Sequence, residues 1–127
     1  MLSALAAHST KLLDPLDSRD SNLMIQALSR LGTKIHSTPN ALQIDPQVLS
    51  GPAEIDCGLA GTVMRFVPPL AALVNGKVSF DGDAAARNRP METTTAALRV
   101  LGVRVEGDSL PFEVYGSGKV VGGELSI

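Results

Sequence analysis

Ala27-Leu-Ser-Arg-Leu-Gly-Thr-Lys-Ile35 and Ala97-Leu-Arg-Val-Leu-Gly-Val-Arg-Val105 are one pattern written twice: Ala-Leu-x-x-Leu-Gly-x-basic-aliphatic. The offset, 97 minus 27, is 70 residues. Each copy reads as the end of an amphipathic helix, a glycine suited to the left-handed residue after it, and then a strand. In the first, Met24, Leu28 and Leu31 recur at helical spacing beside Leu23 and Ala27, with Asp17 or Ser18 as the N-cap. In the second, Pro90 stands where an N1 proline belongs, and Met91, Thr94, Leu98 and Leu101 mark the inner face. Alternating strands follow at Lys34–His36 and Val103–Glu106, then turns at Thr38–Asn40 and Gly107–Ser109, then return strands at Leu42–Ile44 and Phe112–Val114.

The same offset relates Pro52-Ala-Glu-Ile55 to Gly122-Gly-Glu-Leu125, each read as the opening strand of a unit. The expected fold is therefore α/β (α+β), built from repeated β-α-β-α-β-β units. Residues 52–121 form one complete unit, 1–51 an incomplete first unit and 122–127 the start of a third. By this phase Met1–Ala7 is the tail of a first helix whose opening strand is missing. The chain thus reads as a partial domain, clipped at both ends.

Composition narrows the function. The chain of 127 residues is 44% hydrophobic and 19% charged, an ordinary globular balance. A net charge of −2, with no basic run and no tryptophan, gives no sign of nucleic-acid binding. No apolar run reaches membrane-spanning length, and the start lacks a signal peptide's charged and apolar regions. Cys57 is the only cysteine, so no internal disulfide forms, and cytoplasm is the expected location. Neither His8 nor His36 has a partner nearby in sequence. Asp14, Asp17 and Asp20 lack the glycine and distal glutamate of a calcium loop. Gly116-Ser-Gly-Lys119 misses phosphate-loop spacing because Val120 follows the lysine. Neither a calcium loop nor a phosphate loop is expected.

The chemistry concentrates in Asp56-Cys-Gly-Leu-Ala-Gly-Thr-Val-Met-Arg-Phe66, between a strand and an apolar helical pattern running to Leu73. Gly58, Gly61 and Thr62 at a strand-to-helix turn leave backbone N–H groups free at a helix start, where orphan donors and the helix dipole favour an anion. Arg65 follows Thr62 by three residues and projects from about the same face. Its planar guanidinium suits two-point recognition of carboxylate or phosphate. The bland alternative, a tight glycine turn beside a surface arginine, is equally compatible with the spacing. Pro68 and Pro69 are expected to kink or divide this helix. A second basic site, Arg87-Asn-Arg89, precedes Pro90; a cation at a helix start opposes the dipole, and a bound anion relieves that conflict. A solvated loop arginine is the competing reading.

Gly58-Leu-Ala-Gly-Thr-Val-Met-Arg65 resembles the Gly-Asn-Ala-Gly-Thr-x-x-Arg signature of the 5-enolpyruvylshikimate-3-phosphate synthases, and Gly82-Asp-x-x-x-Arg-x-Arg-Pro-Met91 resembles their second signature. Ser18-x-Asp20 also matches a recurrent family feature, and the variant with Cys57 and Phe66-Val-Pro-Pro69 looks like the actinobacterial branch. The resemblance implies the enolpyruvyl transferase fold and transfer of the enolpyruvyl group of phosphoenolpyruvate to shikimate 3-phosphate. That step of the shikimate pathway to aromatic amino acids releases phosphate and uses neither metal nor cofactor. By motif position Arg65 and Arg89 bind phosphoenolpyruvate, Gly61 lets the backbone approach that ligand and the inhibitor glyphosate, and Thr62 and Gly58 support the turn. Leu59 departs from the family asparagine. The family's Lys-Ser-x-x-x-Arg motif would lie ahead of Met1 and its Ser-Ser-Gln segment after Ile127. None of the catalytic acid–base residues is therefore expected here; the partner is the remainder of an enzyme chain, and this chain alone is expected to be inactive. A related alternative is UDP-N-acetylglucosamine enolpyruvyl transferase, disfavoured because Gly82–Arg89 carries no cysteine. A non-catalytic folding or anion-binding fragment is the alternative of another class.

Overall fold

The computed structural model describes residues 1–125. In chain order the elements are a 3₁₀ turn (Leu2–Leu5), β1 (Thr10–Leu13), α1 (Arg19–Arg30), β2 (Lys34–Thr38), β3 (Ala41–Asp45), β4 (Ala53–Asp56), α2 (Gly61–Ala71), β5 (Asn75–Asp81), a second 3₁₀ turn (Ala86–Asn88), α3 (Glu92–Val100), β6 (Arg104–Glu106) and β7 (Phe112–Ser117). From β4 to β7 the order is β-α-β-α-β-β, and the β1-α1-β2-β3 run repeats its later part. The α/β architecture thus matches the expectation.

Two sheets result. One has the order β1-β3-β2 and is antiparallel throughout; the other has the order β4-β5-β7-β6. In the second, β4 and β5 are parallel, joined through α2, while β5, β7 and β6 run antiparallel. Period-two alternation divides this sheet into two faces. Val78 and Phe80 of β5 lie opposite Val114 and Phe112 of β7, all buried, and the Phe80 and Phe112 rings stack at 4.9 Å. The other face is polar: Lys77 pairs with Glu113 at 2.8 Å, and the Tyr115 hydroxyl donates to Glu113 at 2.6 Å. That bond and burial push the Tyr115 phenol up to about 12. Arg104 covers the Tyr115 ring at 4.3 Å and pairs with Glu106.

The apolar face is covered by helices. Leu23, Ala27 and Leu28 of α1 and Val63, Met64, Val67 and Leu70 of α2 share one core with Ile55, Val78, Phe80 and Val114. Ser18 caps α1: its hydroxyl accepts the Ser21 amide at 3.1 Å, while Asp17, the other candidate, accepts from the Asn22 side chain.

Five expectations need correction. Helix α2 is not divided by Pro68 and Pro69 but continues to Ala71. Each proline lacks the N–H that would bond the carbonyl four residues back, so two helical hydrogen bonds are forfeited, and the burial of Val67, Pro68 and Leu70 offsets that loss. Helix α3 starts at Glu92 with Met91 as its cap, so Pro90 precedes the helix and is not its first residue. Its inner face includes Thr95, fully buried, and not Thr94. Thr95 is tolerated there because its hydroxyl is satisfied by the Glu92 carbonyl at 3.2 Å and the Asp108 carboxylate at 2.9 Å. Met1–Ala7 holds a single 3₁₀ turn in place of a helix tail. Finally, Gly122–Leu125 joins neither sheet; a strand requires a hydrogen-bonding neighbour, and this segment has none among the described residues. The rest of the expected third-unit start, residues 126–127, lies outside the described residues.

The closest fit is at Gly116, where α2 ends against β7. A β-carbon there would stand 2.1 Å from the Val74 carbonyl oxygen and 2.4 Å from that of Ala71. Backbone cannot yield as a flexible side chain does, so Gly116→Ala is expected to lower stability by about 3 kcal/mol or more. Urea unfolding checks this; an unchanged midpoint would show that the α2 terminus is not held against β7.

Candidate functional site

The site is built where parallel strands β4 and β5 end. Asp56 and Asp81 lie side by side as the last residues of the two strands, and their chains stay in contact beyond them. The Cys57 amide donates to the Asp81 carbonyl at 2.7 Å, and the Asp83 amide donates to the Gly58 carbonyl at 2.9 Å. Gly82 lies so near that a β-carbon on it would be 2.6 Å from the Gly58 oxygen. Gly58 itself has φ +50°, and a β-carbon there would meet Leu23 Cδ1 at 2.6 Å. The Asp56 carboxylate accepts the Gly58 amide at 2.7 Å and completes the turn. The two glycine-containing motifs are thus one backbone-to-backbone assembly.

That assembly aims the start of α2. Its cap residue, Ala60, has no side chain able to bond the first-turn amides, so Gly61, Thr62 and Val63 present backbone donors without a capping acceptor. Two arginines converge on the same point. A β-carbon on Gly61 would lie 3.2 Å from an Nη of Arg89 and 3.3 Å from an Nη of Arg65. Arg89 donates to the Leu59 carbonyl at 3.2 Å, and Arg65 makes a long 3.5 Å contact with the Gly61 carbonyl. Neither faces a carboxylate among the described residues, whereas Arg19, Lys77, Arg87, Arg99 and Arg104 all do. Two like charges at a positive helix end, neither in an ion pair among the described residues, describe a site suited to an anion.

Sequence reasoning singled out Gly61, Arg65 and Arg89, and the structure brings these three together. Arg87 takes a different course: it grips Asp81 with two bonds, at 3.0 and 2.7 Å, and is spent within the scaffold. Arg89 lies in extended backbone two residues ahead of the α3 cap and not at a helix start, so dipole repulsion is not its setting. Thr62 is exposed and its hydroxyl makes no hydrogen bond among the described residues; the turn is held instead by Asp56, Asp81 and Asp83. Gly58 is at the turn itself. Cys57 is fully buried, and burial pushes its thiol up to about 12, the state of an inert core residue.

Arg19 was missed. It opens α1, 64 positions before Asp83, and forms a two-bond ion pair with it at 2.6 and 2.8 Å. Its guanidinium lies over Gly58, 3.1 Å from where a β-carbon would be. Only the helix-start position beside Ser18 hinted at a role. Among the described residues, no group of three His, Cys, Asp or Glu side chains is arranged to hold a metal, and no helix is long and apolar enough to cross a membrane.

The family model for EPSP synthase (3-phosphoshikimate 1-carboxyvinyltransferase) matches residues 1–127, and the chain belongs to that family. It is 51% identical over 140 residues to the 3-phosphoshikimate 1-carboxyvinyltransferase of Kocuria rhizophila and 48% identical over 132 residues to that of Mycobacterium ulcerans. All of the chain is covered in both cases, but it spans only 32% and 31% of those proteins. Two structures of EPSP synthase from Acinetobacter baumannii share the fold, with TM-scores of 0.86 and 0.81 at 24% identity; they cover 97% and 91% of this chain and are themselves covered over 30% and 28%.

The scaffold carboxylates set an acid limit. Arg87, then the Gly82 amide, hold the Asp81 carboxyl below its usual range, and Arg19 does the same for Asp83. A depressed folded-state pKa stabilises the fold fully above the unfolded value of about 4 and ceases to do so as pH falls through the lower folded value. The thermal midpoint is therefore expected to stay level from pH 7 to 5 and fall below about pH 4, with Asp81→Asn lowering the pH 7 midpoint and flattening the fall. A steep loss near pH 6 would contradict this assignment.

Proposed function

We propose that residues 1–127 form part of the first domain of an EPSP synthase and supply one wall of its phosphoenolpyruvate pocket. The division is an incomplete first unit over 1–51, a complete unit over 52–121 and the start of a third over 122–127. The observation that carries the reading is the convergence of Arg65 and Arg89 on Gly61 at an uncapped helix start. Phosphoenolpyruvate carries a phosphate and a carboxylate, so two guanidinium groups and a row of amides match its charge and its acceptors. Gly61 leaves the space that the ligand's oxygens occupy, and Gly58 and Gly82 hold the loop that presents it. Family membership supports enolpyruvyl transfer to shikimate 3-phosphate as the reaction of the whole protein. Cytoplasm is the compartment proposed for it, in keeping with a single cysteine and no disulfide.

The chain spans about a third of the length of its relatives, and transfer is expected to require the acid–base residues that the remainder supplies. Holding two substrates in position accounts for about 7–11 kcal/mol of barrier lowering, and a single anion site supplies little of it. The 127-residue chain is expected to bind phosphoenolpyruvate weakly and to release no phosphate when given both substrates. Phosphate release above the blank, abolished by Arg65→Ala, would contradict that expectation.

In the complete enzyme, Arg65→Ala and Arg89→Ala are each expected to cost about 1.5–3 kcal/mol in phosphoenolpyruvate recognition, the worth of a charge-assisted hydrogen bond. Steady-state kinetics with phosphoenolpyruvate varied reads this directly; unchanged KM and kcat in both variants would refute the assignment. Gly61→Ala inserts a β-carbon against both guanidinium groups. It is expected to weaken glyphosate more than phosphoenolpyruvate, because glyphosate is the longer molecule, and equal inhibition constants before and after the change would place Gly61 outside the pocket.

A further inference from the structure

Arg19 and Asp83 join parts of the chain that the repeat makes separate. Arg19 opens α1 in the β1-α1-β2-β3 run, and Asp83 follows β5 in the second run. Their two bonds, at 2.6 and 2.8 Å, are of the paired, planar kind that fixes orientation as well as distance. The pair does not end there. Asp83 donates its amide to the Gly58 carbonyl at 2.9 Å, and the Arg19 guanidinium lies over Gly58. Gly58 leads through Leu59, whose carbonyl accepts from Arg89, to Gly61 and the start of α2. A continuous path of hydrogen bonds and main chain therefore runs from α1 to the anion pocket.

We infer that Arg19 and Asp83 are positioning residues: their ion pair clamps the Gly58 turn so that the Gly61–Val63 amides, Arg65 and Arg89 face one anion. The inference rests on the proposed phosphoenolpyruvate site and adds a part to it. Arg19 acts through Asp83 and touches no ligand in this account. That distinguishes the clamp from a third anion-binding arginine by the sign of one effect. If Arg19 bound the ligand, removing Asp83 would free its charge and strengthen binding, as would the loss of a nearby negative charge on simple electrostatic grounds. The clamp requires the opposite, because Asp83→Ala releases the turn.

The test measures phosphoenolpyruvate affinity by titration calorimetry in the complete enzyme for wild type, Arg19→Ala, Asp83→Ala and the swap Arg19→Asp/Asp83→Arg. Amide exchange of Cys57–Ala60 is followed in the same four proteins. Both single variants are expected to bind about fivefold more weakly, the scale of an exposed ion pair, with faster exchange confined to the turn. The swap is expected to regain most of both losses. Tighter binding in Asp83→Ala, or wild-type affinity in both single variants, overturns the clamp while leaving the anion site standing. A wild-type enzyme that does not bind phosphoenolpyruvate overturns the site and the clamp with it, and the exchange data then still report whether the pair holds the turn. A swap variant as weak as the single variants, with circular dichroism unchanged, also overturns the clamp.

Discussion

The Gly58 backbone lies directly against Gly82, and most of what is distinctive in this molecule follows from that contact. Cys57 donates to Asp81 and Asp83 donates to Gly58, so β4 and β5 continue to hydrogen-bond past their formal ends. A side chain on Gly82 would strike the Gly58 oxygen, and one on Gly58 would strike Leu23 of α1. The two glycines are required by close approach, since two pieces of backbone and one helix meet in a space too small for a β-carbon. The consequence is that α2 starts at one defined place, with its free amides turned the same way as Arg65 and Arg89.

Electrostatics then divides six of the seven arginines into two groups; Arg30, at the end of α1, makes no ion pair among the described residues and stands outside both. Arg19, Arg87, Arg99 and Arg104 are each matched to a carboxylate, and Arg19 and Arg87 lower the pKa of Asp83 and Asp81 in doing so. Those pairs are partly exposed, so each adds little to stability; their value lies in the geometry they impose. Arg65 and Arg89 lack such a partner among the described residues and crowd an uncapped helix end instead. A sequence selected for stability alone would cap α2 and separate these charges. Local cost concentrated at one point, within an otherwise consistent fold, is the pattern of a functional site.

Much of this was legible in the sequence, for identifiable reasons. The doubled Ala-Leu-x-x-Leu-Gly pattern is a local signal, so the α1-β2-β3 and α3-β6-β7 runs were readable without any knowledge of what they pack against. Gly61, Arg65 and Arg89 were nominated by two short motifs, though their meeting at a single point depends on the Gly58–Gly82 contact, which no periodicity encodes. The failures are tertiary. Helix α2 tolerates Pro68 and Pro69 because its apolar face, Pro68 included, is buried. Thr95 displaces Thr94 from the core because Asp108 and the Glu92 carbonyl satisfy its hydroxyl. Gly122–Leu125 has the right phase for a strand and no neighbour among the described residues to make it one. Arg19 belongs to no motif read from the sequence, and only the fold brings it to Asp83.

The central claim is that one anion sits at the start of α2 between Arg65 and Arg89. Nuclear magnetic resonance of the isotopically labelled protein, titrated with phosphoenolpyruvate, tests it most directly, because amides and arginine Nε–H groups are seen one by one. The account predicts saturable shifts largest at the Gly61, Thr62 and Val63 amides and at Arg65 and Arg89 Nε, with Lys77 and Arg104 on the opposite sheet face undisturbed. Shifts centred on that sheet face, or none at Gly61–Val63 under saturating ligand, would contradict it.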